Sequence, residues 1–210
     1  MYYGFDVFGG YLMTDFSAIS EDIKYLKKCL ADLNKKGNPG RIPAYWNIIT
    51  FGRMVTFHLQ KQLKYELGFK EWYSQKQIEM REDSLLKFFV NARNELEKEG
   101  LPSVTNVTQI NHFESPKDLH KFGPPPPNSK GFFIGDNLGG SGWIVSGPDG
   151  NNYKIYVELP QEIGNTWMIV KNLPDSHLGV KLKDRSVEAV CKIYVDYLAN
   201  LVQEAMTRFK

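Results

Sequence analysis

Residues 83–110 read DSLLKFFVNARNELEKEGLPSVTNVTQI, and a change of hydrophobic period inside this stretch decides the fold class. Leu85, Phe89, Ala92 and Leu96 recur at steps of three and four, which places them on one apolar helix face. Asp83 or Ser84 offers the side-chain acceptor that opens a helix, and Gly100 with Pro102 closes it. From residue 103 onward the helical period is gone. Val104, Val107 and Ile110 lie among Thr and Asn, a pattern that predicts a strand.

Toward the N-terminus the pattern stays helical. Ile23, Leu26, Leu30 and Leu33 predict a helix from residue 17 or 20 to residue 36, stopped by Gly37 and turned by Asn38-Pro39-Gly40. A second helix starts after Pro43 and ends before Gly68. It is apolar on most sides from Tyr45 to Leu59, the mark of a central, buried helix. Gly52 shares a face with Ile48, Ile49 and Val55, where it either admits a neighbour at close range or is a weak spot of about 1 kcal/mol. Residues 69–82, with Trp72 and Tyr73, read as a connection with room for a short helix.

Toward the C-terminus, residues 132–134, 142–145, 153–159 and 167–170 read as strands, and Gly147-Pro148-Asp149-Gly150-Asn151 as a turn between two of them. Pro124-Pro125-Pro126-Pro127 is a stiff spacer. Asp184 opens a closing amphipathic helix carried by Val187, Val190, Cys191, Tyr194, Leu198, Leu201, Val202 and Ala205. The expected architecture is α+β: a helical bundle, a small antiparallel β-sheet, and a C-terminal helix packing back on the bundle. Residues 1–210 then form a single domain, with a helical portion at 15–101, a β-rich portion at 102–183 and the closing helix at 184–210.

Composition excludes more than it assigns. Apolar residues make up 42% and charged residues 24%, which rules out a disordered, collagen-like or coiled-coil chain. A net charge of +2 excludes the strongly basic footprint of a general duplex-DNA binder. Residues 1–16 contain Asp6 and Asp15 and no basic residue, unlike a secretory signal. The longest uncharged run of the helical region, residues 42–52, is too short for a bilayer core, which takes about 20 residues. Cys29 and Cys191 stand far apart in apolar surroundings and read as two buried, reduced thiols. The expectation is a cytoplasmic protein with no membrane partner.

Most candidate motifs dissolve on inspection. The Gly-rich tract at residues 135–142 has no Gly-Lys followed by Ser or Thr, and the sequence after it reads as strand, so it is a hairpin turn rather than a phosphate loop. His112, Glu114, Asp118 and His120 have no spacing that fixes a tetrahedral metal site, and no metal or cofactor is expected. Arg93-Asn94-Glu95-Leu96-Glu97-Lys98 is more informative. Arg93 flanks the apolar stripe, where its guanidinium needs a carboxylate or a phosphate. Glu97, one turn later, supplies an ordinary ion pair of about 0.3–0.5 kcal/mol. Alternatively Arg93, Asn94 and Lys98, with Glu97 among them, line one side of a helix that receives phosphate. A second Arg-to-His spacing, Arg53 to His58, is the runner-up site; five helical steps separate its members by about 140°.

The helical core followed by Asp83, Leu85, Leu86 and Phe89, and then by Ala92, Arg93, Asn94, Lys98, Glu99 and Gly100, resembles bacterial members of the HEPN group (higher eukaryotes and prokaryotes nucleotide-binding). The resemblance covers roughly residues 15–101, with the last helix as a further element. It implies a helical bundle that commonly dimerises, and in many members a metal-independent endoribonuclease of toxin–antitoxin or phage-defence type. The family motif is Arg, a polar residue, and a His after a spacer of four to six residues, with Arg stabilising phosphate charge and His moving a proton. Arg93 and Asn94 match; Lys98, Glu99 and Gly100 fill the His positions. Lysine at its ordinary pKa is a poor general base near neutrality, so Lys98 would need a strong shift to take that role. The implied catalytic residues are Arg93, Asn94 and Lys98. Three readings stay open: RNA, nucleotide or protein-partner binding through the Arg93 face; a ribonuclease whose His comes from His58, His112, His120, His177 or a dimer mate; and a structural adaptor in which Arg93 is only an ion-pair residue.

Overall fold

The computed structural model describes residues 15–35, 39–100, 104–136 and 138–209. Within these, α1 (Ser17–Leu33), α2 (Arg41–Leu63), α3 (Phe69–Glu82) and α4 (Ser84–Glu99) come first. Next follow β1 (Val104–Ile110), a 3₁₀ turn (Leu119–Phe122), β2 (Ser129–Ile134), β3 (Ser141–Ser146), β4 (Asn152–Val157) and β5 (Gly164–Val170). The chain continues through β6 (Ser176–His177) and β7 (Val180–Lys181) to α5 (Val187–Arg208). The fold is α+β, and α5 packs back on α1 and α2. No helix among the described residues is long and apolar enough to cross a membrane.

Helix α2 is central because it is apolar on more than one face. Ile42, Tyr45, Ile48, Ile49, Val55, Leu59 and Leu63 are all buried, and α2 contacts α1, α4 and α5. It begins at Arg41, three residues before the expected start, with Pro43 in the first turn, where a missing N–H costs nothing. Arg41 is 2% exposed. Its Nε donates to the Leu33 carbonyl at 2.9 Å and its Nη2 pairs with Glu188. The ion pair therefore ties the end of α1, the start of α2 and the first turn of α5 together. It also bears on why α1 ends at Leu33 rather than at residue 36: the Leu33 carbonyl accepts from Arg41. Gly37, the expected stop signal, lies outside the described residues.

Residues 69–82 form the whole of α3 rather than a short helix in a connection. Its buried apolar content is Phe69, Trp72 and Tyr73: Phe69 and Trp72 meet Phe209 edge-on at the end of α5, and Tyr73 stacks on Phe69. Trp72 Nε1 donates to Glu204 at 2.8 Å, so α3 is held by partners distant in sequence. Cys29 and Cys191 are buried free thiols, and burial pushes both above their ordinary pKa.

Among the described residues, the β-rich portion holds three small antiparallel sheets rather than one: β1–β5, the meander β2–β3–β4, and the β6–β7 hairpin. Strands β1 and β5 pair from Val104↔Val170 to Ile110↔Gly164 and enclose the meander in sequence. At one end of this ribbon Met168, with Val104 and Val170, joins the helical core. Beyond the other end lies a second core of Phe122, Trp143, Leu159 and Ile163. The Gly-rich tract is the β2–β3 turn. Its Asp136 carboxylate accepts from the Leu138 and Gly140 amides and from Lys154 and Tyr156.

Asp83 is the one residue between α3 and α4. It caps α4 by accepting from the Leu86 amide at 2.8 Å, and it also accepts from the Leu178 amide at 2.6 Å and pairs with His177 Nδ1 at 3.1 Å. Burial pushes its carboxyl up, but the hydrogen bonds from Leu178, Leu86 and His177 outweigh burial and leave it below the ordinary value. A depressed carboxyl contributes stability above its unfolded pKa of about 3.9 and loses it as pH falls through the folded value. The melting-temperature gap between wild type and Asp83→Ala should therefore be constant from pH 7 to 5 and narrow below about pH 4. A gap that does not change down to pH 2 would show that the carboxylate charge contributes nothing.

Candidate anion-binding cleft

Helices α2, α3, α4 and α5 leave a cleft of about 460 Å³ between them. Helix α2 brings Arg53 and Thr56, α3 brings Tyr73 and Arg81, α4 brings Lys87, Asn91, Arg93 and Asn94, and α5 brings Tyr194 and Tyr197. Three guanidiniums and one ammonium line the cleft, and no carboxylate does. Arg81 and Lys87 have no ion-pair partner among the described residues. Arg53 donates to Thr56 Oγ1 at 3.3 Å and lies 4.2 Å above the exposed Phe57 ring. Arg93 is tied to Glu97 Oε1 by Nε at 2.9 Å and Nη2 at 2.5 Å.

Packing explains why these cations converge. Gly52 has no side chain where Tyr194 lies: a Cβ there would stand 2.5 Å from the Tyr194 ring and hydroxyl. The close-approach reading of Gly52 is the one the structure shows. Phe89 stacks on a face of the Tyr194 ring at 3.8 Å and 9°, so the ring is held against α4 while its hydroxyl end meets α2 at Gly52. Arg53 and Arg93, from different helices, thereby face one space. Burial pushes the Tyr73 phenol up and the Tyr194 phenol well up; the Arg53 charge opposes this at both, and the Arg93 charge at Tyr194. Both hydroxyls therefore stay protonated near neutrality and serve as hydrogen-bonding groups, not as bases.

The two sites that sequence spacing separates, Arg93–Asn94 and Arg53, are thus parts of one cleft. The other candidates lie outside its lining. His58 Nδ1 meets Asp22 of α1 at 2.5 Å. Glu97 is the Arg93 partner, and Lys98 is exposed farther along α4. His177 pairs with Asp83, His120 Nδ1 meets the Lys117 carbonyl, and His112 is 3.9 Å from Asp118. No His therefore lines the cleft. No group of three metal-ligating side chains is gathered among the described residues. Sequence reasoning missed Arg81, Lys87, Asn91 and Tyr194. A signal existed on α4, where Lys87, Asn91 and Asn94 form a polar stripe at helical spacing beside Arg93.

Residues 44–201, well over half of the chain, match the family described as bacteriophage lambda protein ea47. The chain belongs to the lambda ea47 family. The part matched to ea47 begins inside α2 and ends inside α5, so it contains every lining residue of the cleft, from Gly52 to Leu198. Helix α1 lies outside the ea47 match. No curated protein and no solved structure matches the chain.

Proposed function

We propose that this protein is a HEPN-like binder of RNA or a nucleotide that holds phosphate in the Arg53–Arg81–Arg93 cleft, without cleaving it. The observation that carries this reading is the convergence of three guanidiniums and Lys87 on a cleft with no lining carboxylate. Guanidinium forks suit phosphate oxygens, and the Asn91 and Asn94 amides add donors of the same use. The HEPN resemblance supports the same reading, because its Arg and polar residue are Arg93 and Asn94. Binding without cleavage is favoured because no His lines the cleft and its phenols are held protonated.

The test is fluorescence anisotropy with a labelled single-stranded RNA in EDTA, repeated across a salt series. Three phosphate contacts should give a log–log salt slope near −2, at about −0.7 per contact. The Arg53→Ala/Arg93→Ala double variant should bind at least about 10-fold more weakly. Its stability should remain within about 1 kcal/mol of wild type, because a helical i,i+4 pair such as Arg93–Glu97 contributes only about 0.3–0.5 kcal/mol. Equal binding by wild type and the double variant would defeat the proposal. A shortened RNA in the wild-type sample alone would replace it with the metal-independent ribonuclease reading.

A further inference from the structure

On the opposite flank of α4 lies a second pocket, of about 700 Å³, within the usual range of small-molecule sites. Lys87 and Asn91 line both it and the arginine cleft, so the two hollows meet across one helix ridge. Their chemistry differs. The cleft has cations alone, whereas this pocket sets Glu95 and Asp175 against Lys87 and Lys171. It has no net charge with which to draw a phosphate. It offers the half-buried Phe88 ring, the Asn91 and Asn172 amides and, from α2, Tyr45.

Tyr45 is 1% exposed, and its hydroxyl has no hydrogen-bond partner among the described residues. Buried hydroxyls are normally paired, so this one is short of an acceptor or a donor. An aromatic face, two amides and an unpartnered hydroxyl in a charge-balanced hollow suit a flat, neutral ring with polar edges. The geometry points to this pocket as the seat of a nucleobase whose phosphates occupy the arginine cleft across α4. The inference rests on the binding function proposed above and deepens it, by giving the base of the RNA or nucleotide a seat separate from that of its phosphates.

The experiment compares a short single-stranded RNA with a phosphodiester chain of equal length built from abasic sugar spacers. The abasic chain reads the cleft alone. Wild type should prefer the RNA by roughly 10-fold or more, the scale of stacking one base. Tyr45→Phe, which removes only the unpartnered hydroxyl, and Asn172→Gly, which keeps the left-handed φ of 58° accessible, should each reduce that preference. Neither should weaken binding of the abasic chain. Equal binding of the two chains by wild type would overturn the base pocket and leave the cleft standing. A preference that survives in both variants would also overturn it, by placing the base elsewhere. Failure of both chains to bind would remove the arginine-cleft function and this inference together.

Discussion

Replacing Arg41 by alanine should destabilise the fold by about 3–5 kcal/mol, the cost of removing one partner from a buried ion pair. Glu188 keeps some contact with water, with 27% of its side chain exposed, so the lower end of that range is the expected value. The loss falls on three helix ends at once. The Leu33 carbonyl at the end of α1 loses its donor, and Glu188 loses the cation that balances it. At about 2–4 °C per kcal/mol for a domain of this size, the melting temperature should fall by roughly 6–12 °C. Replacing both partners by methionine should recover much of the loss, because two apolar groups leave no charge unpaired. Thermal unfolding of the two single variants and the double variant gives the answer. A change under 1 kcal/mol for Arg41→Ala would show that the pair is not the clamp described here.

Phe89→Ala should cost about as much, roughly 3–5 kcal/mol, by opening a cavity in the centre of the helical core. Phe89 is 2% exposed and covers one face of Tyr194, while the hydroxyl end of that ring lies against α2 at Gly52. With that stack gone, Tyr194 is no longer clamped, and the floor between Arg53 and Arg93 loses its shape. The variant that remains folded should therefore also bind RNA more weakly, although Phe89 itself does not line the cleft. Phe89→Leu should be milder, at about 1–1.5 kcal/mol, because it retains most of the volume. Urea unfolding measures the first effect and anisotropy the second. A stability loss with RNA affinity intact would separate the stack from the site.

The sequence was legible where local rules act alone. Asp83 caps α4 and Gly100 ends it at a φ of 77°, because both rest on chemistry within one helical turn. The β-branched run of β1 and the stripe of α5 were readable for the same reason. Helix α3 was not, since Phe69, Trp72 and Tyr73 crowd one end, and Phe69 and Trp72 find their partners at the end of α5. The β6–β7 hairpin was invisible as well. Its turn puts Leu178 at a φ of 47°, a conformation that leucine seldom adopts and that the Asp83 carboxylate holds through the Leu178 amide. Arg53 and Arg93 were each legible as candidates, but their union depends on Tyr194 lying against Gly52, a contact between α5 and α2.

Asp83 has a consequence for ligand choice. Arg81 stands on one side of it along the chain, and Lys87 and Arg93 on the other, while its own backbone leaves the helical region at φ −74° and ψ 130°. The gap across which the cations face one another is therefore an angle between two rods meeting at a pivot. The pivot is clamped by the Leu86 and Leu178 amides and by His177, and neither Asp83, Leu178 nor His177 lines the cleft. The reach of the cleft, and with it the phosphate spacing that the proposed function would select, can be retuned from Asp83, which stands outside the cleft lining.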